Sequence, residues 1–237
     1  MTMIPKIIHY CWFGRNPLPK LALKCIDSWH KFLPDYEIKE WNEDNFNVDA
    51  IPYTASAYKA GKYAFVSDYA RYHILYNEGG IYFDTDVELI KPLDDIVSNG
   101  PFFGIEKNRN IISINPGLVM GACQKMEFYR RMLDLYDDWD PVDNDMVPEP
   151  LLIQGTTDLL ISGGFERKDE MQHLDGITIY PNDFFNPLDD YTGRLGITQN
   201  TRSIHHYAKS WIDGYGPMKN WLSKRYHRLL NLLSKTD

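Results

Sequence analysis

The segment SDYARYHILYNEGGIYFDTDVEL, residues 67–89, constrains the fold more than any other part of the chain. From Ser67 onward the apolar residues recur at helical spacing, and Ser67 is placed to cap that helix. Gly79 is suited to the left-handed position just past a helix end. Ile81, Tyr82 and Phe83 then read as a buried strand that continues through GIYFDTDVEL, so Asp84 and Asp86 stand at an apolar strand's end with Glu88 beyond. Unpaired buried carboxylates are costly; such groups protonate, pair, or hold a metal.

The residues before this segment set its surroundings. KIIHYCWFG is a compact apolar run ending in Gly14 and reads as a first buried strand. PKLALKCIDSWHKFLP has helical spacing stopped by Pro34, YEIKEWN alternates like a second strand, and TASAYKAG reads as a short helix capped by Thr54 and stopped by Gly61. The order β-α-β-α-α-β predicts an α/β fold with a mostly parallel central sheet flanked by helices. Further on, PFFGIE and NIISINPGLVMGA read as strands around the polar turn KNRN, and KMEFYRRMLDLYDDW as a helix. An acidic, proline-rich loop, a helix or a loop leading into one over LLIQGTTDLLISGG, and a strand with a turn over GITIYPNDFFNP follow. There is no internal repeat or linker, which gives one domain over 1–216 and a C-terminal helix over 217–237.

Charge and cysteine usage narrow the function classes. A net charge of −8 argues against a nucleic-acid partner. Cys11, Cys25 and Cys123 are widely spaced and odd in number, which fits neither a disulfide framework nor a zinc site and points to a reducing compartment. The N-terminal run lacks the apolar length of a signal peptide, and no stretch is long enough to span a bilayer, so a cytosolic protein is expected.

Several readings compete for Asp84-Thr85-Asp86. A calcium loop of the EF-hand type would need Gly and Glu where this chain has Leu89 and Asp95. A phosphatase with two aspartates after a strand would want Thr or Val where Glu88 stands. The bland reading is a solvated strand end. The remaining one is a Mn²⁺ or Mg²⁺ site holding a diphosphate, since hard cations take a few carboxylates and complete their shell with phosphate and water. Asp68 and Arg71, three apart on one helix face, read either as an exposed ion pair or as polar groups reaching the same cleft.

SDYARYHILYNEGGIYFDTDV resembles the SDxxRxxxLxxxGGxYxDxD signature of glycosyltransferase family 32. IPKIIHYCWFG is similar to that family's opening strand, and HHYAKSW to its C-terminal motif; the similarity is dense over 4–93 and 204–211. The resemblance implies a GT-A fold, a nucleotide-sugar donor with UDP-sugars favoured, Mn²⁺ or Mg²⁺, and retention of anomeric configuration. It further implies a glycan or lipid-linked oligosaccharide acceptor, as in bacterial capsule and lipopolysaccharide synthesis. By position, Trp12 would stack on the uracil or other base, with plain core packing as its alternative, Asp68 and Arg71 would contact donor sugar and phosphate, and Tyr82 would lie against the ribose or base side. Asp84 would touch ribose, sugar or metal, and Asp86 would ligate the metal. His206 would be the late metal ligand with His205 as its substitute, because neighbours in an extended chain point to opposite sides. Asn115 would hydrogen-bond the sugar, Ser210 and Trp211 would close over the diphosphate, and Gln154 and Asp158 would lie on the acceptor side. A rival reading is a non-catalytic, metal-dependent carbohydrate-binding protein on the same fold.

The tail carries Met218, Trp221, Leu222, Tyr226, Leu229, Leu230 and Leu233 on one helical stripe, with five basic residues against one acid elsewhere. A basic amphipathic helix with Trp at its apolar edge fits peripheral contact with an anionic membrane; packing on the domain is the alternative.

Overall fold

The computed structural model describes residues 3–136 and 150–208. Ser210, Trp211, the acidic loop and the C-terminal helix expected over 217–237 lie outside the described residues. Among the described residues no helix is long and apolar enough to cross a membrane.

The chain opens with β1 (Ile7–Cys11), α1 (Lys20–Phe32), β2 (Glu37–Trp41), α2 (Pro52–Lys59), α3 (Tyr63–Glu78) and β3 (Gly80–Tyr82), in the expected order. β4 (Val87–Leu89), α4 (Asp94–Val97), β5 (Phe102–Asn108), β6 (Ile111–Ile114), β7 (Met120–Ala122) and α5 (Glu127–Asp134) follow. After a π-helical turn at Pro150–Gln154 come α6 (Gly155–Ser162), β8 (Gln172–Leu174), β9 (Ile177–Tyr180), α7 (Asn182–Phe185) and β10 (Ser203–His205).

The main sheet runs β2-β1-β3-β7-β5-β9-β8, with β6 hung on β5. β1 pairs in parallel with both β2 and β3, and β5 pairs in parallel with β9. β7 sits antiparallel between β3 and β5, so β1, β2, β3, β5 and β9 all point one way. Alternate residues of the central strands feed two cores, one on each face. Ile8, Ile81 and Phe83 pack with Trp29 of α1, while Cys11 and Tyr82 pack with the aromatic residues of α3.

The strand expected over 80–89 is two strands. β3 leaves the main sheet at Phe83, the chain turns through Asp84–Asp86 with the Val87 amide bonded to the Asp84 carbonyl, and β4 pairs with β10 in a separate two-stranded sheet. The carboxylates therefore occupy a turn rather than a strand, where each finds a partner: Arg71 beside Asp84, and His205 and the Ala208 amide beside Asp86. Helix α1 holds the far side of that turn: the Trp29 indole N–H donates to the Val87 carbonyl at 2.8 Å, and Ser28 Oγ accepts from the Leu89 amide at 2.9 Å.

Two expected caps are interior residues. Thr54 lies inside α2, its hydroxyl donating to the Ile51 carbonyl, and Ser67 lies one turn into α3, donating to the Tyr63 carbonyl. Both hydroxyls bond backward along a helix that the preceding residues had already started. Gly79 does end α3, with φ of 66°. Gly80 follows at φ of 100°, where a Cβ would stand 2.7 Å from the Ile7 carbonyl oxygen and 2.8 Å from His9 Nε2. The glycine pair thus lets a helix turn straight into a central strand.

Candidate metal and donor site

β1 and β3 are adjacent and parallel, and both Trp12 and the Asp84–Asp86 turn follow their carboxyl ends. In open α/β sheets that edge is where ligands bind. Trp12 is half-buried, its indole N–H held by the Asn16 carbonyl at 2.6 Å.

Asp84, Asp86 and His205 each offer one ligand atom within 4.8 Å of the others, and they form the one such group among the described residues. Asp84 keeps 30% of its side chain exposed and Asp86 14%, so the cluster is open on the Asp84 side. His205 Nε2 lies 3.1 Å from Asp86 Oδ1, and its Nδ1 is buried without a hydrogen-bond partner. The Ala208 amide donates to Asp86 Oδ2 at 2.7 Å, and the His206 amide to the Asp86 carbonyl at 3.0 Å. β10 and the residues after it thereby strap the turn from above.

The electrostatics keep Asp86 charged. Burial pushes its carboxyl up, but the His205 ring and the Ala208 amide outweigh that and hold it down at about 2. Burial lowers His205, and the neighbouring Asp86 outweighs it, raising the ring to about 9. Asp84 is raised, chiefly by burial, with Arg71 opposing. Two carboxylates and an imidazole suit Mn²⁺, which accepts nitrogen and oxygen donors. The orphaned His205 nitrogen and the partly exposed Asp84 fit a site that a cation would complete.

Arg71 and Asp68 are not an exposed pair. Arg71 Nη2 donates to Asp68 Oδ1 at 2.8 Å, with side-chain exposures of 4% and 8%. Arg71 Nη1 lies 3.1 Å from Asp84 Oδ1, an ion contact without hydrogen-bond alignment, and the guanidinium sits over the Tyr82 ring at 4.9 Å. Tyr82, expected against a ribose, is 1% exposed; it points inward from β3, supports Arg71, and donates from its hydroxyl to Asp84 Oδ1 at 3.2 Å. The pair acts on the carboxylates from behind.

His206, expected as the late ligand, bonds Glu88 through Nε2 at 2.8 Å, and Glu88 also takes Lys24 at 2.7 Å. The register of β10 on β4 sets His205 opposite Val87, which delivers His205 and not His206 to the cluster. The Asn115 amide, expected on a sugar, is engaged within the protein: Oδ1 accepts from the Gly117 amide at 2.8 Å and Nδ2 donates to Glu106 Oε2 at 3.3 Å. Gln154, the last residue of the π-helical turn, donates to Asp158 of α6 at 2.7 Å, and both are exposed. Glu106 was not singled out from the sequence; nothing in its local spacing marks it.

The fold and this cluster define an α/β domain with a candidate carboxylate–imidazole cation site at the end of its parallel strands. Residues 19–103 match the family described as the glycosyltransferase sugar-binding region containing a DXD motif. The chain is 35% identical over 98 residues to inositol phosphoceramide mannosyltransferase 3 of Schizosaccharomyces pombe, covering 40% of this chain and 27% of that protein. It is 31% identical over 127 residues to the initiation-specific alpha-1,6-mannosyltransferase of Candida albicans, covering 49% and 31%. An uncharacterized glycosyltransferase of Acanthamoeba polyphaga mimivirus is 34% identical over 126 residues, covering 51% and 50%. The chain thus spans half or less of the length of these relatives. Among solved structures it is similar to PaToxG glycosyltransferase, with a TM-score of 0.54 and 19% identity over 67% of this chain and 69% of that one, a likeness of fold.

Proposed function

We propose that the protein is a divalent-metal-dependent glycosyltransferase that moves a sugar from a nucleotide-sugar donor to a glycan or lipid-linked acceptor. The observation that carries the reading is the convergence of Asp84, Asp86 and His205 within 4.8 Å of one another at the carboxyl end of β3. Asp84, Asp86 and His205 are the residues that would hold Mn²⁺ or Mg²⁺. The bound cation supplies neutralisation of the charge that develops on a departing diphosphate.

The chain's own groups prepare that chemistry. The Ala208 amide holds Asp86 Oδ2 through a backbone bond, which orients the carboxylate with His205 beside its other oxygen. Arg71, itself anchored by Asp68, stands 3.1 Å from Asp84 and opposes the rise in its pKa that burial causes. Trp12 follows the adjacent strand on the same edge and is the residue proposed to stack on the donor's base. Transfer proceeds with retention in this reading, the acceptor hydroxyl entering on the face that the diphosphate leaves. UDP-sugars are the favoured donors, and the names of two relatives make a nucleotide-linked mannose the next to try.

The test is nucleotide release from a panel of UDP- and GDP-sugars with Mn²⁺ and with EDTA. Release that requires Mn²⁺ supports the proposal. Tight donor binding with no release from any member, at any acceptor concentration, supports a carbohydrate-binding protein instead. An inverted anomer in the product, read by NMR, would overturn the retaining mechanism alone.

A further inference from the structure

Glu106 is a carboxylate on β5, 9% exposed, that touches neither Asp84 nor Asp86, yet both of its oxygens lead to them. Oε2 accepts from Asn115 Nδ2 at 3.3 Å. Asn115 in turn shapes the tight turn 115–118: its Oδ1 takes the Gly117 amide, and its carbonyl takes the Leu118 amide at 3.1 Å. That turn presents the Gly117 carbonyl to the Asp84 amide at 3.3 Å and brings Gly117 so near that a Cβ there would overlap Asp84 Oδ2.

The other oxygen leads to Asp86. Oε1 accepts from the Tyr207 hydroxyl at 2.6 Å, which also faces Asn186 Oδ1 at 2.8 Å. Tyr207 has a φ of 52°, a left-handed conformation that a tyrosine adopts only under constraint. That bend swings the next residue inward, so that the Ala208 amide reaches Asp86 Oδ2. The Tyr207 ring also lies against His205, with centroids 4.2 Å apart. The hydroxyl at the far end of that ring is the group that Glu106 and Asn186 engage.

We infer that Glu106 is a positioning residue for the cation site, one carboxylate setting the Asp84 wall through Asn115 and the Asp86–His205 wall through Tyr207. The inference rests on the proposed function, since the walls matter only if a cation binds between them. Glutamine can replace the carboxylate in both arms. Its oxygen accepts from Asn115 Nδ2, and its amino group donates to the Tyr207 hydroxyl, which then turns its proton to Asn186.

The test is Mn²⁺ titration of the full chain, followed by electron paramagnetic resonance of the free ion, with thermal melting of the same samples. Glu106→Ala is expected to weaken Mn²⁺ affinity by roughly 10–100-fold, the range for groups that support metal ligands. Tyr207→Phe should weaken it as well, and Glu106→Gln should restore most of it. Folded Glu106→Ala that binds Mn²⁺ like the wild type overturns the inference and leaves the proposed function standing. A wild-type chain that binds no Mn²⁺ overturns both. If Glu106→Ala fails to fold, Tyr207→Phe decides: weakened affinity in a folded sample supports the inference, and unchanged affinity overturns it.

Discussion

The indole N–H of Trp41 donates to Nδ1 of His9 at 3.0 Å, under β1 and out of reach of solvent. The opposite ring nitrogen donates to the Gly79 carbonyl at 2.9 Å, so His9 is a neutral imidazole with both nitrogens engaged. Burial lowers its pKa from 6.5 to about 4, the Gly79 bond opposing. The folded value lies below the unfolded one, so the stabilisation is complete above about pH 6.5 and is lost as pH falls toward 4. It amounts to about 3 kcal/mol. Urea midpoints at pH 7 and 4.5 should differ more for the wild type than for His9→Gln. Equal differences would show that His9 does not titrate this way.

Asp86→Asn should lower metal-dependent turnover on the order of a hundredfold or more, because the leaving diphosphate keeps its charge. The two histidines separate cleanly: His205→Ala should weaken Mn²⁺ binding by roughly tenfold or more, and His206→Ala far less. The reverse order in a titration would return the ligand role to His206.

Gly117→Ala tests the crowding beside Asp84. The added methyl would overlap Asp84 Oδ2 and stand 3.1 Å from Asn115 Oδ1. Gly117 has no positive φ to lose, and a carboxylate yields more easily than backbone, so the fold should survive and Asp84 should move. The expected result is a near-native melting temperature with reduced Mn²⁺ affinity. Native affinity would place Asp84 outside the cation's shell.

Arg71→Ala leaves Asp68 buried without its cation and should destabilise the chain by about 3–5 kcal/mol. Asp68→Asn in the same chain should recover part of that loss. A double variant no more stable than Arg71→Ala would mean that the guanidinium stabilises through Tyr82 and Asp84 instead. Chemical denaturation of the three proteins gives the comparison.

Trp12→Ala should raise the donor KM by an amount worth roughly 1–3 kcal/mol if the ring stacks on a base. Matched kinetics with a UDP- and a GDP-sugar would show whether the loss follows the base. An unchanged KM would leave Trp12 as packing.

The β-α-β-α-α-β order was legible because each element carries its own period and its own stop. Gly79 was legible because a helix end needs a residue free to take positive φ. The helix starts were not: Thr54 and Ser67 are good caps in isolation, but Pro52 and Tyr63 begin their helices earlier. Asp84 and Asp86 announced themselves as charges after an apolar run. Which histidine joins them depends on the register of β10 against β4, and a shift of one residue would exchange His205 for His206. Glu106 was invisible because its partners, Asn115 and Tyr207, come from other elements of the fold.

The pairing of β10 with β4 also bears on the order in which the protein is made. The ribosome releases Asp84 and Asp86 long before His205, and the parallel strands β1, β2 and β3 can assemble in the interval. A nascent chain at that stage owns two of the three proposed ligands and lacks the strap that carries the third. Chelation would then be a late event that joins two distant stretches of chain, and the ion would serve as a cross-link closing the loop between them. A protease that severed the chain between β4 and β10 would leave the ion as a link between His205 and the two aspartates.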